Sequence, residues 1–152
     1  MSNPIDHLYT LHTNPFLFAA TLHAFYESLG PQKHSMLLSY LVLPIVLEQK
    51  NRDFLRKARS NSNLRTMQAR RELLTAIPQR LEDYRQVTID TMKYLISAHL
   101  LEVNGTTISV GPNQLTDQTS PPGAVLAARL LATFFKPFDI TTIYRLLGVM
   151  QL

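Results

Sequence analysis

Leu101-Glu102-Val103-Asn104-Gly105-Thr106-Thr107-Ile108-Ser109-Val110 is the stretch whose reading decides the fold. Near Leu100 the apolar period changes from 3.6 residues to 2. Asn104-Gly105 then supplies the strongest short-range hairpin signal, because both central residues of a type I′ turn need φ > 0. With these two as the loop, Val103 faces Thr106 and Leu101 faces Ile108, leaving one apolar face. Immediately upstream, Ile77-Pro78 opens a long helix with proline in its first turn. Leu81, Tyr84, Thr88, Met92 and Leu95 form one stripe along it at helical spacing.

The remainder reads as helices. Asn14-Pro15-Phe16 starts the first, with Asn14 as cap, and the run FLFAATLHAFYESL stops at Gly30-Pro31. Ser35 is expected to cap a second, MLLSYLVLPIVL, which Pro44 should kink or end. A short basic helix follows over 51–59. Ser62 or Asn63 then caps a third major helix running to about Thr75. Gly111 to Gly123 is rich in turn formers and reads as a loop. Ala124 to Lys136 is a further helix, Pro137 breaks it, and Asp139 caps a last one, ITTIYRLLGV. Helices followed by a tight hairpin are the outline of a winged helix. The expected fold is therefore mainly α with a small β-hairpin, a winged-helix-like single domain with extra N- and C-terminal helices. Residues 13–110 would hold the helices and wing, 111–123 the loop and 124–150 the C-terminal helices.

At 152 residues and 17.3 kDa the chain fits one domain. Zero cysteines exclude disulfides, thiol chemistry and Cys-type zinc sites. The first residues carry neither a basic leader nor an apolar core, and the most apolar run, Met36 to Leu47, is too short for a bilayer. A cytoplasmic protein without a membrane partner is expected. Apolar residues make up 45%, enough for a core, but charged residues only 17%, against about 25% in an ordinary soluble domain. That shortage suggests surface covered by partners. The candidate interface residues are Phe16, Phe18, Leu22 and Phe25 on the first helix, Leu41 and Leu43 on the second, and Phe134 and Phe135 late in the chain, with Leu126 and Leu130 nearby.

Charge is segregated. Between Lys50 and Arg85 stand ten Lys/Arg against four Asp/Glu, whereas the rest of the chain is net acidic. Arg52, Arg56, Lys57, Arg59, Arg65, Arg70 and Arg71 are the candidate phosphate contacts for double-stranded DNA. The hairpin itself carries no Lys or Arg, and the helix before it has only Lys93 after Asp90. A wing of that composition is structural, which suits an adaptor better than a sequence-specific regulator. No catalytic pattern appears. The five glycines are scattered, so there is no phosphate-cradling loop. His7, His12, His23, His34 and His99 lack metal-ligand spacing, and His99 reads as a helix-end residue. Glu82-Asp83 reads as a solvated pair opposing Arg80 and Arg85, while Glu27, Glu48 and Asp53 sit at helix ends where they can cap or pair with arginine. No cofactor or metal is expected.

Asn14-Pro15-Phe16, the LVLPIVL run at 41–47, Arg52 shortly after it, the hairpin behind a long helix and the terminal Leu146-Leu147-Gly148-Val149 together resemble the middle component of prokaryotic three-component ABC (ABC-3C) systems. The resemblance covers about residues 13–150. Glu48 stands where that family often has His, and Asn51 precedes Arg52 where Thr is usual. What the resemblance implies is a small non-catalytic subunit. Its partners would be an SMC/Rad50-like ABC ATPase with a coiled coil, and a nuclease or other effector. Such systems, those called Lamassu among them, act against phage and plasmids. The alternatives are a stand-alone winged-helix DNA-binding regulator and an antitoxin-like partner of one toxic effector.

Overall fold

The computed structural model describes residues 15–149, so the expected cap at Asn14 lies outside the described residues. Pro15–Phe18 forms a 3-10 turn leading into α1 (Ala19–Leu29), which ends at Gly30 as its Gly-Pro sequence anticipates. A second 3-10 turn, Ser35–Leu38, enters α2 (Ser39–Val46). Then come α3 (Gln49–Arg56), α4 (Leu64–Gln68), α5 (Arg71–Leu74) and the long α6 (Ile77–Ser97). The strands β1 (Leu101–Asn104) and β2 (Thr107–Val110) pair antiparallel, and α7 (Ala124–Phe135) and α8 (Ile140–Leu146) close the chain. The fold is mainly α with one two-stranded hairpin.

Local chemistry accounts for most helix ends. Asn63 Oδ1 accepts from the backbone N–H of Arg65 (2.8 Å) and Thr66 (3.1 Å), and Thr66 Oγ1 accepts in return from Asn63 N–H, a reciprocal capping box. Asp139 caps α8 through Thr142 N–H at 2.8 Å. That bond holds its carboxyl below the usual aspartate range. At the far end of α6, Leu100 N–H reaches back to Leu95 C=O and His99 N–H to Ile96 C=O, with His99 at φ 59°. This is a Schellman motif, and buried Leu95 and Leu100 supply its apolar contact. It turns the chain from helix into hairpin. Gly111 then passes so close that a Cβ there would lie 2.2 Å from His99 O.

Three expectations are corrected. The helix expected from Asn63 to Thr75 is two, α4 and α5, interrupted at Arg70, whose backbone leaves the helical region. Ser35 does not cap α2: it lies in the 3-10 turn, and its Oγ accepts the Ile108 N–H at 2.9 Å. The loop lies one residue further on than expected, which shifts every cross-strand partner by two and keeps each side chain on its face. Leu101 pairs with Val110, Val103 with Ile108 and Asn104 with Thr107, so Gly105-Thr106 is the loop. Only Gly105 has positive φ (65°), the pattern of a type II′ turn rather than I′.

The interior is organised around α1, which packs most extensively on α7 and also touches α6, α2 and β2. Nine of its eleven residues are buried. Every residue of α2 except Tyr40 is buried as well, mostly against α6 and α7. One continuous core joins Leu22, Phe25, Leu41, Ile45, Leu55, Met67, Leu95, Ile108, Leu131 and Phe135. A smaller cluster of Phe18, Leu43 and Val87 lies apart from it.

Two substitutions test this account by urea unfolding. Gly105→Val forces a β-branched residue to positive φ and is expected to cost about 1–2 kcal/mol, whereas Asn104→Val, now in a strand, is expected to be neutral or better. Equal losses at both sites would restore the Asn104-Gly105 turn. Ser35→Ala leaves the buried Ile108 N–H without its acceptor and is expected to cost about 1–3 kcal/mol.

Candidate functional site

The apolar candidates fall into two groups. Phe18, Leu22, Phe25, Leu41, Leu43 and Phe135 are completely or almost completely enclosed, and Phe134 is buried too. These seven fill the chain's own interior: Leu22, Phe25, Leu41 and Leu43 lie on α1 and α2, which run through its middle, Phe134 and Phe135 on α7 packed against α1, and Phe18 in the turn before α1. They leave almost no surface of their own for the partner contact expected of them. Phe16 alone of the eight is on the surface, 50% exposed, its ring meeting Tyr94 edge-on at 4.7 Å. Leu126 (52%), Val103 (41%) and Val110 (43%) are the other large apolar side chains exposed among the described residues. Leu126, with Leu130 and Pro122, borders a shallow cleft of about 260 Å³ that Arg52 and Arg56 also line.

The basic candidates divide equally clearly. Arg52 lies part-buried after α2, donating from Nη1 to Val46 C=O (3.0 Å) and from Nη2 to Gln49 Oε1 (2.7 Å). It satisfies a carbonyl that the helix end leaves open. Arg56 pairs with Asp53 at 3.0 Å on the α3 surface. The Arg65 guanidinium sits 5.6 Å from the centre of the Phe138 ring. Arg70 donates from Nε to Glu72 at 2.5 Å and lies over Phe54 at 5.7 Å. Its hydrogen bond is the first cause of a Glu72 carboxyl below the usual glutamate range, so the pair separates only as pH falls through that lowered value. Lys57, Arg59 and Arg71 are exposed, and no ion pair engages them among the described residues.

Two residues outside the candidate set matter. Arg80 opposes Glu48 at 2.9 Å rather than the Glu82-Asp83 pair, donates from Nε to Pro44 C=O at 3.0 Å and covers Tyr84 at 5.6 Å. It ties α6 to the end of α2. Lys50 shares one face of α3 with Lys57 and opens onto the same cleft as Lys57 and Arg70. The i, i+7 spacing of the two lysines was a legible signal for that face. The remaining acids expected at helix ends are paired as well, Glu27 with Arg129 at 2.8 Å.

Among the described residues no group of three or more His, Asp or Glu gathers as a metal site, and no helix is long and apolar enough to cross a membrane. His23 is buried on α1, His34 binds Thr106 Oγ1 at 2.7 Å, and His99 sits at the Schellman turn. His7 and His12 lie outside the described residues.

A small helical domain with arginine-braced helix ends and an exposed basic face is the class these features define. Residues 2–151 match the family model described as ABC-three component (ABC-3C) system Middle Component 3, and the chain belongs to that family. No curated protein and no solved structure matches.

The bracing role of Arg80 is directly testable. Arg80→Met is expected to cost about 1–2 kcal/mol by stripping the Pro44 carbonyl and Glu48 of their donor. Arg59→Gln is expected to stay within about 0.5 kcal/mol. Chemical unfolding of the two variants side by side checks this.

Proposed function

We propose that the protein is the non-catalytic adaptor of a defence complex against phage or plasmids. It would bridge an SMC/Rad50-like ABC ATPase and a nuclease or other effector in the cytoplasm, in the manner of Lamassu-type systems. The observation that carries this reading is family membership over nearly the whole chain. The segregated charge of residues 50–85 supports a second element: the basic stretch faces double-stranded DNA held by the complex. The helix-then-hairpin order supports a winged-helix-like outline of the kind that accompanies such ATPases, with the uncharged hairpin as framework. Docking falls to the exposed apolar positions Phe16, Val103, Val110 and Leu126, since the other apolar candidates are enclosed.

Tagged protein purified from its native operon and analysed by mass spectrometry is expected to bring down a coiled-coil ABC ATPase. Leu126→Asp is expected to reduce that recovery severalfold while leaving the melting temperature unchanged. Recovery of the protein alone, or with DNA only, would replace this reading with a free-standing winged-helix regulator. Charge reversal at Arg56, Lys57 and Arg59 together is expected to impair restriction of plasmid or phage; intact restriction and DNA binding would remove the DNA-facing element.

A further inference from the structure

The cleft between α3 and the α4–α5 corner has a volume of about 480 Å³. One wall is a face of α3 carrying Lys50, Asp53 and Phe54, continued by Lys57 at the C-cap of that helix. The other carries Ser62, Arg70 and Glu72. Lys50 and Lys57 are seven residues apart, about 10 Å of helix rise.

Both acids of the cleft are already engaged. Asp53 Oδ1 accepts from Arg56 at 3.0 Å and from Gln49 Nε2 at 2.9 Å, and Glu72 accepts from Arg70. Neither lysine has an acidic partner among the described residues. Lys50 nevertheless adds to the downward shift of the Glu72 carboxyl, so its charge reaches across the cleft. Two ammonium groups without an ion-pair partner therefore line the groove.

The aromatic content of the groove narrows what it can hold. Phe54 has Arg70 over its ring and Phe134 meeting it edge-on at 6.2 Å, so it offers no free platform for stacking single-stranded bases. Arg70 is held at the cleft wall through its Nε bond to Glu72 and its place over Phe54. The groups there without an ion pair are the two lysines, compact point charges suited to phosphate and indifferent to sequence.

We propose that this cleft grips the phosphate backbone of double-stranded DNA without sequence preference, Lys50 and Lys57 each neutralising one phosphate. The inference rests on the DNA-facing element of the adaptor reading and refines it. Arg52, Arg65 and Arg70 are framework, and Lys50, absent from the sequence-derived candidates, is a contact.

The test uses the full chain and two fluorescently labelled duplexes of unrelated sequence, about 30 base pairs each, with Kd measured between about 50 and 200 mM salt. Lys50→Gln and Lys57→Gln are each expected to lower the slope of log K against log salt by about one, equally on both duplexes. Lys93→Gln, which removes the same charge from α6, is expected to leave the slope unchanged. Both lysines are exposed, so circular dichroism and melting temperature should match the parent. Binding by the parent with unaltered slopes in the two variants overturns the cleft while leaving the DNA-facing element standing. A parent that binds neither duplex overturns both. Loss of polyglutamate binding in the variants of such a parent would make the cleft a receptor for an acidic protein segment instead. Preference for one duplex, or for a single strand, also overturns the proposal.

Discussion

The connection between α1 and α2 is the constraint on which the rest of the structure depends. Two helices that are apolar on nearly every side must both lie inside, so the end of the segment joining them, Ser35–Leu38, is carried inward with its backbone polar groups, while Pro31, Lys33 and His34 stay exposed. Each group left without a partner there would carry a penalty comparable to a lost hydrogen bond. The protein answers with bonds from every surrounding element. The fully buried Tyr26 of α1 donates to Ser35 C=O at 2.8 Å, and Ser35 Oγ accepts from Ile108 N–H of β2. Met36 N–H donates to Thr106 C=O at 2.9 Å, and the Tyr144 hydroxyl of α8 donates to Leu37 C=O. Gln32 Nε2 reaches the carbonyls of Lys136 and Phe138 between α7 and α8 at 3.2 Å. One nine-residue stretch thus fastens the first helix, the hairpin and the C-terminal helices to each other. Burial pushes the Tyr26 and Tyr144 hydroxyls well above the ordinary tyrosine range, so both remain protonated donors at any physiological pH.

The second organising feature is the division of labour among the basic residues. Arginine offers a planar fork that can satisfy a carbonyl and a carboxylate together, and it is the residue used wherever α2 must be closed or clamped. Arg52 reaches Val46, Arg80 reaches Pro44 and Glu48, and Arg85 lies over Tyr40 at 5.9 Å. Lys50 and Lys57 are left outside this scheme. A stretch that is uniformly basic in sequence therefore contributes framework on one side and free charge on another. The Arg52 that follows the apolar run has a local reason to be there: it closes the helix that the run forms.

Legibility followed locality. Gly30-Pro31, the Asn63 cap, Ile77-Pro78 and the Asp139 cap are chemistry within four residues, and each marks a helix end in the structure. The hairpin was legible as an element but not in register. Asn104-Gly105 favours a turn with two positive φ angles, yet the hairpin must also present the Ile108 N–H of β2 to Ser35 and the loop carbonyl of Thr106 to Met36. That tertiary demand moves the loop one residue on. Leu101 and Ile108 are buried in the resulting arrangement, so the apolar pattern alone could not reveal the shift. The place of Arg70 was invisible for the same reason, since Phe54, the ring it covers, comes within reach only through the tertiary fold.

The sequence by itself determined the helical class, the place of the hairpin, most helix ends, the segregation of basic charge and the family resemblance, because composition, period and capping act over a few residues. Only the tertiary structure decided what the apolar surplus is for and which cations are free. An apolar side chain lowers the free energy by leaving water whether a partner or its own chain covers it, so no composition distinguishes core from interface. A guanidinium is likewise silent about its acceptor until packing brings a carbonyl or carboxylate within reach. Those contacts enclose Phe18, Leu22 and Phe25, bind Arg52 to the end of α2, and leave Phe16, Leu126, Lys50 and Lys57 facing outward.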